Sequence, residues 1–192
     1  MKLIFSTGNS DKFHTAQRVL QPSGIELSQA KLDIDEIQSE GGDAIILDKS
    51  HKAFGLVGRP VVVSDDSWSI PGLNGFPGPY MKSINTWFKE EDFLNLTINL
   101  KDRQIFLTNR LAYNDGHKIK LFKNDRKGML LKESRGKSSH LSHQFIVMDG
   151  DNGLSQAEVY SRGLDQNNRE RALVWNMLAK WLKSSQIRSA SS

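Results

Sequence analysis

The feature that most constrains the fold stands at the start of the chain, where an apolar run closes on a tight turn and passes straight into a helical pattern. Lys2 to Ser6 reads as a short buried strand bounded by Thr7-Gly8-Asn9. Phe13, Ala16 and Leu20 then fall at i, i+3 and i+7, the spacing of one helical face, with Asn9, Ser10 or Asp11 available as N-cap. The alternation repeats. Asp43 can cap a second helix carrying Ile45, Ile46, Ala53 and Leu56, which ends near Gly55 to Gly58 before a buried strand at Pro60-Val61-Val62-Val63. Strands and helices in this order bury a sheet and lay helices on its faces.

The middle of the chain changes period. Ile105, Leu107, Leu111 and Tyr113 alternate with polar positions, Asn114-Asp115-Gly116 signals a turn, and Ile119 and Leu121 alternate again, which together predict a β-hairpin. Phe145 to Met148 adds a strand before Asp149-Gly150. Asn167 or Asn168 can cap a last helix whose Ala172, Trp175, Leu178 and Leu182 share a face. The expected architecture is therefore α/β, with a mixed central β-sheet and flanking helices. Residues 1–183 form one domain and the serine-rich stretch 184–192 a frayed tail. A chain of 192 residues buries roughly two thirds or more of its unfolded surface, so it holds together without disulfides or a structural metal. It contains no cysteine, which removes thiolate catalysis and zinc fingers from consideration. The N-terminal apolar run is too short for a signal peptide, and no stretch approaches the roughly 20 apolar residues of a membrane span, so a cytoplasmic location is expected.

Three places carry chemistry. Thr7-Gly8-Asn9-Ser10-Asp11-Lys12 lies where a strand becomes a helix, so free backbone N–H groups, the positive end of a helix dipole and a lysine can cradle phosphate; the same string also reads as an ordinary turn. Asp65-Asp66 follows the Val61 to Val63 strand, and Glu36 lies in Asp33-Ile34-Asp35-Glu36-Ile37-Gln38. Carboxylates at the carboxyl end of a strand suit magnesium, which needs only one or two of them beside substrate phosphates and water, although acidic residues are also common turn formers there. Gly72 to Pro79 packs three glycines and two prolines into eight residues, the composition of a rigid loop.

The run Val61 to Lys82, with its acidic pair and its Pro77-Gly78-Pro79-Tyr80 loop, resembles without a gap the corresponding stretch of the Ham1-like family, the inosine triphosphate or non-canonical purine nucleoside triphosphate pyrophosphatases. Thr7, Gly8, Asn9 and Lys12 match that family's phosphate motif, Glu36 its metal-binding glutamate, and Lys49 the lysine of its second helix. Asp65 matches the catalytic acid by gap-free counting from Pro60 and from Pro77, whereas the local string Asp-Asp-Ser favours Asp66. Arg169, Ala172 and Leu173 remain of a Ser-His-Arg-x-x-Ala-Leu segment. The resemblance implies a two-lobed fold, a homodimer, and Mg²⁺-dependent hydrolysis of a nucleoside triphosphate to monophosphate and pyrophosphate. Thr7, Gly8, Asn9, Lys12, Lys49, Phe76, Gly78 and Arg169 would contact substrate, Glu36 and Asp65 would hold the metal, and Asp65 or Asp66 would activate water.

Departures from the pattern concentrate in the base-reading segment. The family's Phe-Gly-aromatic-Asp-Pro falls on His140-Leu141-Ser142-His143-Gln144, where none of the five is kept. Trp87 and Phe88 could replace the missing aromatic contact; otherwise Trp68, Trp87, Trp175 and Trp181 read as core or interface residues. His140 and His143 stand three apart but have no obvious third metal ligand. Two alternatives follow: a pyrophosphatase retuned to another nucleotide, and a catalytically silent nucleotide- or RNA-binding protein. The second draws on a net charge of +4 and on the basic stretch Lys118 to Lys137, which reads equally as a solvated hairpin face.

Overall fold

The computed structural model describes residues 1–164 and 169–190, with the backbone alone for 169–171 and 186–190. Its centre is a seven-stranded mixed sheet. β1 (Lys2–Ser6) lies parallel between β2 (Glu26–Ala30) and β3 (Val61–Ser69). The other side of β3 pairs antiparallel with β5 (Gln104–Asn114), followed by β6 (Ile119–Leu130) and β7 (Ile146–Met148). The two-residue β4 (Pro77–Gly78) folds back on the end of β3.

The connections are helical, as the alternation predicts. α1 (Ser10–Leu20) follows β1, and its N-cap is Asn9, whose Oδ1 accepts from the Lys12 N–H at 2.9 Å. α2 (Gly42–Val57) precedes β3 and ends on Gly58, whose φ of 60° is a left-handed conformation that glycine adopts without a Cβ clash. The expected Asp43 cap is not formed. Gly41 occupies the N-cap, and Asp43 lies inside the first turn, drawn off by Arg110 and Lys123, each 2.8 Å from one of its carboxylate oxygens. α3 (Met81–Trp87), α4 (Glu90–Thr97) and α5 (Gln156–Ser161) are short. α6 (Arg169–Ala190) keeps helical form past Ser184, where the tail was expected to begin. The proposed caps Asn167 and Asn168 lie outside the described residues. No helix among those described is long and apolar enough to cross a membrane.

The pleat sorts side chains to two faces of the sheet. On one, Leu3, Phe5, Val62, Leu111 and Tyr113 pack against α1 and the Val174, Trp175, Leu178 and Leu182 face of α6. On the other, Val61, Val63 and Ala112 pack against Ile46 and Ala53 of α2. A third core gathers at the far end of the long hairpin, where Ile105, Leu107 and Leu130 meet Met81 and Ile84 of α3, Phe93 of α4, and Phe145. β5 thus runs from one core region to another, with Thr108, Asn109 and Arg110 between them. The site lies over that middle.

Candidate active site

The two aspartates are not at the end of their strand. β3 is nine residues long and runs on through Ser69, but its parallel partner β1 stops at Ser6, paired with Val63. The acids therefore stand in the first gap beyond β1, backed on the other side by the unbroken ladder to β5, where Asp65 pairs with Arg110 and Asp66 with Asn109. This is still the carboxyl edge of the parallel strands, where ligand sites of α/β sheets open. The edge belongs to β1 rather than to β3, a correction to the sequence expectation.

Because successive residues of a strand face opposite ways, each acid inherits the helix on its own side. Asp66 shares the side of Val62 and meets α1: Lys12 Nζ is 2.8 Å from Asp66 Oδ2. Asn109 Nδ2 donates to Asp66 Oδ1 at 2.7 Å. Asp65 shares the side of Val61 and Val63, which pack on α2, the helix that carries Lys49. Lys49 in turn is ion-paired with Glu36, held in the irregular segment ahead of α2. Burial pushes the Asp65 carboxyl above the ordinary range; Lys49 and Lys12 oppose the shift, and Asp66 and Glu36 add to it. Burial disfavours the Lys12 ammonium as well, yet Asp66 and Asp65 more than offset it and hold its pKa above the usual lysine value.

The Thr7 to Lys12 segment has the form a phosphate cradle needs. Thr7 Oγ1 accepts from the Asn9 N–H at 3.1 Å, and Gln29 Nε2 donates to the Thr7 carbonyl at 3.0 Å, so the turn is braced from below. A Cβ added at Gly8 would meet no atom within 4 Å, which leaves the outer side of the turn open. Thr7, Gly8, Asn9, Lys12, Glu36, Lys49, Asp65 and Asp66 thus form one neighbourhood.

Phe76 and Gly78 do not join it directly. Their loop is ordered by its own backbone hydrogen bonds, Ile70 N–H to Phe76 O and Gly78 N–H to Gly75 O at 3.1 Å each, and is pinned where Pro77–Gly78 pairs with Trp68–Ser69 at the far end of β3. Among the described residues no hydrogen bond or ion pair links Phe76 or Gly78 to the acids. The Arg169 side chain lies outside the described residues.

The donor set suits a hard cation. It consists of oxygens alone, from Glu36, Asp65 and Asp66, and Asn109 adds a buried Oδ1 with no hydrogen-bond partner. No three His, Asp or Glu side chains among the described residues converge to ligate a metal by themselves. That is compatible with magnesium, which keeps water and takes substrate phosphate oxygens beside one or two carboxylates.

Trp87 and Phe88, offered as a replacement for the missing aromatic contact, lie side by side at the surface. Trp87 is 77% exposed and borders a shallow hollow with Phe88, Asp92, Asn95 and Leu96. Trp175 is core, and Trp181 packs edge-on to Tyr113 and Phe122 with Lys118 above its ring. Much of the basic stretch is engaged within the molecule: Lys118 on Trp181, Lys123 on Asp43, Arg126 buried, and Arg135 donating to the Gly153 carbonyl at 2.8 Å. Near the rewritten segment the structure reveals Tyr160, which sequence reasoning missed. Its ring stacks on His143 with centroids 4.9 Å apart and planes at 10°. No local pattern announces this pairing across seventeen positions of the chain.

Comparison with known proteins identifies a family and its relatives. The model of the Ham1 family matches residues 3–174. A relative from Methanopyrus kandleri, named dITP/XTP pyrophosphatase, is 28% identical over 185 residues, covering 96% of this chain and 97% of its own. A protein of the same name from Saccharolobus solfataricus is 27% identical over 186 residues, with 96% and 95% covered. The solved structure of a HAM1 protein from Coxiella burnetii superposes with a TM-score of 0.78 over 96% of this chain and 99% of that one; at 17% identity the likeness speaks to the fold.

Proposed function

Given that the chain belongs to the Ham1 family, we propose that it hydrolyses non-canonical purine nucleoside triphosphates, of the inosine and xanthosine type, to the monophosphate and pyrophosphate. The observation that carries this reading is the pair of lysine–carboxylate contacts, Lys12 with Asp66 and Lys49 with Glu36, set around Asp65. Relatives matched over nearly their whole length carry the names of pyrophosphatases, which favours an enzyme over a silent nucleotide- or RNA-binding protein.

Phosphoryl displacement is mostly positioning and charge neutralisation. The open turn at Thr7 to Asn9 with Lys12 and Lys49 would hold the phosphate chain. Glu36 and Asp65, with Asp66 beside them, would hold Mg²⁺, which when bound neutralises phosphate charge. Asp65 is the aspartate left to act on water, because Asp66 is committed to Lys12 and Asn109. It would orient and deprotonate the water that attacks the α-phosphorus, and the bond to the β-phosphate oxygen breaks as pyrophosphate leaves. Assembly as a homodimer belongs to the same reading, and the exposed Trp87 beside Phe88 offers one apolar surface for it. A panel of nucleoside triphosphates assayed with Mg²⁺ for pyrophosphate release tests the proposal: turnover of inosine or xanthosine triphosphate supports it, and no turnover of any substrate overturns it.

A further inference from the structure

Asp65 stands at one end of a row of charges that runs across three strands. The antiparallel register sets Asp65 of β3 opposite Arg110 of β5, and Arg110 opposite Lys123 of β6. Residues directly opposite in such ladders share a face with Cβ atoms about 5 Å apart, so the cation that the sheet itself offers to Asp65 is Arg110. An Asp65–Arg110 ion pair is the ordinary outcome of that register, and among the described residues it does not form. Instead the Arg110 Nε donates to Asp43 Oδ1 at 2.8 Å, and its Nη1 to Ser67 Oγ at 2.6 Å, two positions further along β3.

Asp43, in the first turn of α2, is the group that draws Arg110 away. Its other oxygen accepts from Lys123 Nζ at 2.8 Å, so one carboxylate gathers both cations of the row. Lys123 and Arg110 together hold the Asp43 carboxyl below the ordinary carboxylate range. The Arg110 side chain is only 12% exposed and passes so close to the start of α2 that a Cβ on Gly42 would come within 2.8 Å of its Cζ. Its direction is thus set by Asp43, by Ser67 and by the room that glycine leaves. Lys12 and Lys49, whose charges also act on Asp65, are likewise drawn to other acids, Asp66 and Glu36. Three basic groups flank Asp65, and each is held by a different carboxylate. A hard cation takes an unpaired carboxylate more readily than one whose two oxygens a guanidinium already occupies.

We propose that Asp43 is a positioning residue for the metal site: by clamping Arg110 against the start of α2 it keeps the guanidinium off Asp65 and leaves that carboxylate open to Mg²⁺. The proposal rests on the reading of Glu36 and Asp65 as metal ligands and extends it to a residue outside that set. Asp43 touches neither the metal nor the substrate. It acts through Arg110, so its effect depends on Arg110 being present.

Titration calorimetry with the α,β-methylene analogue of inosine triphosphate, which cannot be cut between its α and β phosphates, tests this at a series of free Mg²⁺ concentrations. Wild type, Asp43→Ala, Arg110→Gln and the double variant are compared. The expected result is that Asp43→Ala raises the Mg²⁺ concentration for half-maximal binding about tenfold, the scale of one hydrogen bond to a charged group. Arg110→Gln stays within about twofold of wild type, and the double variant returns to within about twofold, because no guanidinium is left to occupy Asp65. Circular dichroism checks folding; should Asp43→Ala not fold, Asp43→Asn, which keeps the shape and removes the charge, is read in its place, alone and with Arg110→Gln. An unchanged Mg²⁺ midpoint in the single Asp43 variant overturns the proposal while leaving the metal site standing. A double variant as weak as the single also overturns it, since Asp43 would then act by seating α2 rather than through Arg110. Binding by the wild type that ignores Mg²⁺, or no binding at all, overturns the metal reading and this proposal together.

Discussion

Asparagine at position 65 and asparagine at position 66 should push stability in opposite directions, because adjacent carboxylates sit on opposite faces of β3 with different surroundings. Asp66 accepts from Lys12 at 2.8 Å and from Asn109 at 2.7 Å, with Lys12 and Asp66 side chains 38% and 32% exposed. An ion pair that wet contributes no more than about 1 kcal/mol, and the hydrogen bond from Asn109 about as much again, so Asp66→Asn costs about 1–2 kcal/mol. In a domain of this size that lowers Tm by about 2–8 °C. Asp65 is the reverse case. Its folded-state pKa is raised, chiefly by burial, so its contribution to stability is present in acid and is lost as pH rises through the folded value. At neutral pH the ionised carboxylate is a liability, and Asp65→Asn should leave Tm unchanged or raise it. That advantage should vanish below the ordinary carboxyl value of 3.8, where both states bind the proton.

Catalysis should separate the two in the other sense. A residue that orients and deprotonates the attacking water contributes about 10²–10⁴-fold, so Asp65→Asn is a folded, stable protein with turnover reduced by that factor. Thermal melts at pH 7 and below about pH 4, paired with pyrophosphate release, read both effects in the same samples. A Tm lowered by more than about 4 °C in Asp65→Asn at pH 7 would refute the electrostatic argument. Wild-type turnover in Asp65→Asn would exclude it as the essential acid, and loss confined to Asp66→Asn would shift the family correspondence by one residue.

Three further outcomes are expected. Arg103 is buried and donates to the carbonyls of Leu130, Thr97 and Leu131, so Arg103→Leu strands three acceptors and costs about 3 kcal/mol, seen as a fall in Tm with kcat per folded molecule unchanged; a melt equal to wild type would contradict this. With His140, Leu141, Ser142 and His143 in the base-reading segment, kcat/KM should differ among purine triphosphates by only about tenfold, and a hundredfold preference for inosine and xanthosine over adenosine triphosphate would defeat that expectation. The protein should scatter light as a dimer at micromolar concentration and bury more than about 1,000 Å² in total; a monomer there would remove the assembly from the reading.

How much of this could be read beforehand depended on whether the deciding contact was local. β1 follows the expected Lys2 to Ser6 limits, because an apolar run closed by Thr-Gly-Asn leaves few other options, and Asn9 caps α1 as one of three candidates. β2 escaped notice because Glu-Leu-Ser-Gln-Ala buries only Leu27, and its strand form depends on pairing with β1. β3 was expected to stop at Val63, since Ser64-Asp65-Asp66-Ser67 has weak strand propensity; the complete ladder from β5 overrides that preference. Asp43 was taken for a cap on spacing alone, while Arg110 and Lys123, distant in sequence, decide its role. The stacking of Tyr160 on His143 could not be found from sequence because the two residues come from separate segments, α5 and the 3-10 turn at Leu141–Gln144.

The same geometry explains why two aspartates and two lysines come together in one place. Consecutive strand residues cannot share a face, so a sheet that offers Asp65 and Asp66 must supply a cation on each side, and the chain does so from the two helices that flank β1 and β3. Lys12 comes from the first turn of α1, after β1, and Lys49 from α2, before β3. Three carboxylates, Glu36, Asp65 and Asp66, then stand against two ammonium groups. A dication entering with a triphosphate offers each group a new partner of the right sign, the metal to the carboxylates and the phosphates to the lysines. A metal alone would have to compete with the lysines for the carboxylates, and a triphosphate alone with the carboxylates for the lysines. In the proposed reaction the protein therefore exchanges ion pairs rather than filling an uncompensated hole. The desolvation cost of Asp65 is carried by the folded scaffold before the substrate arrives, as electrostatic preorganisation requires.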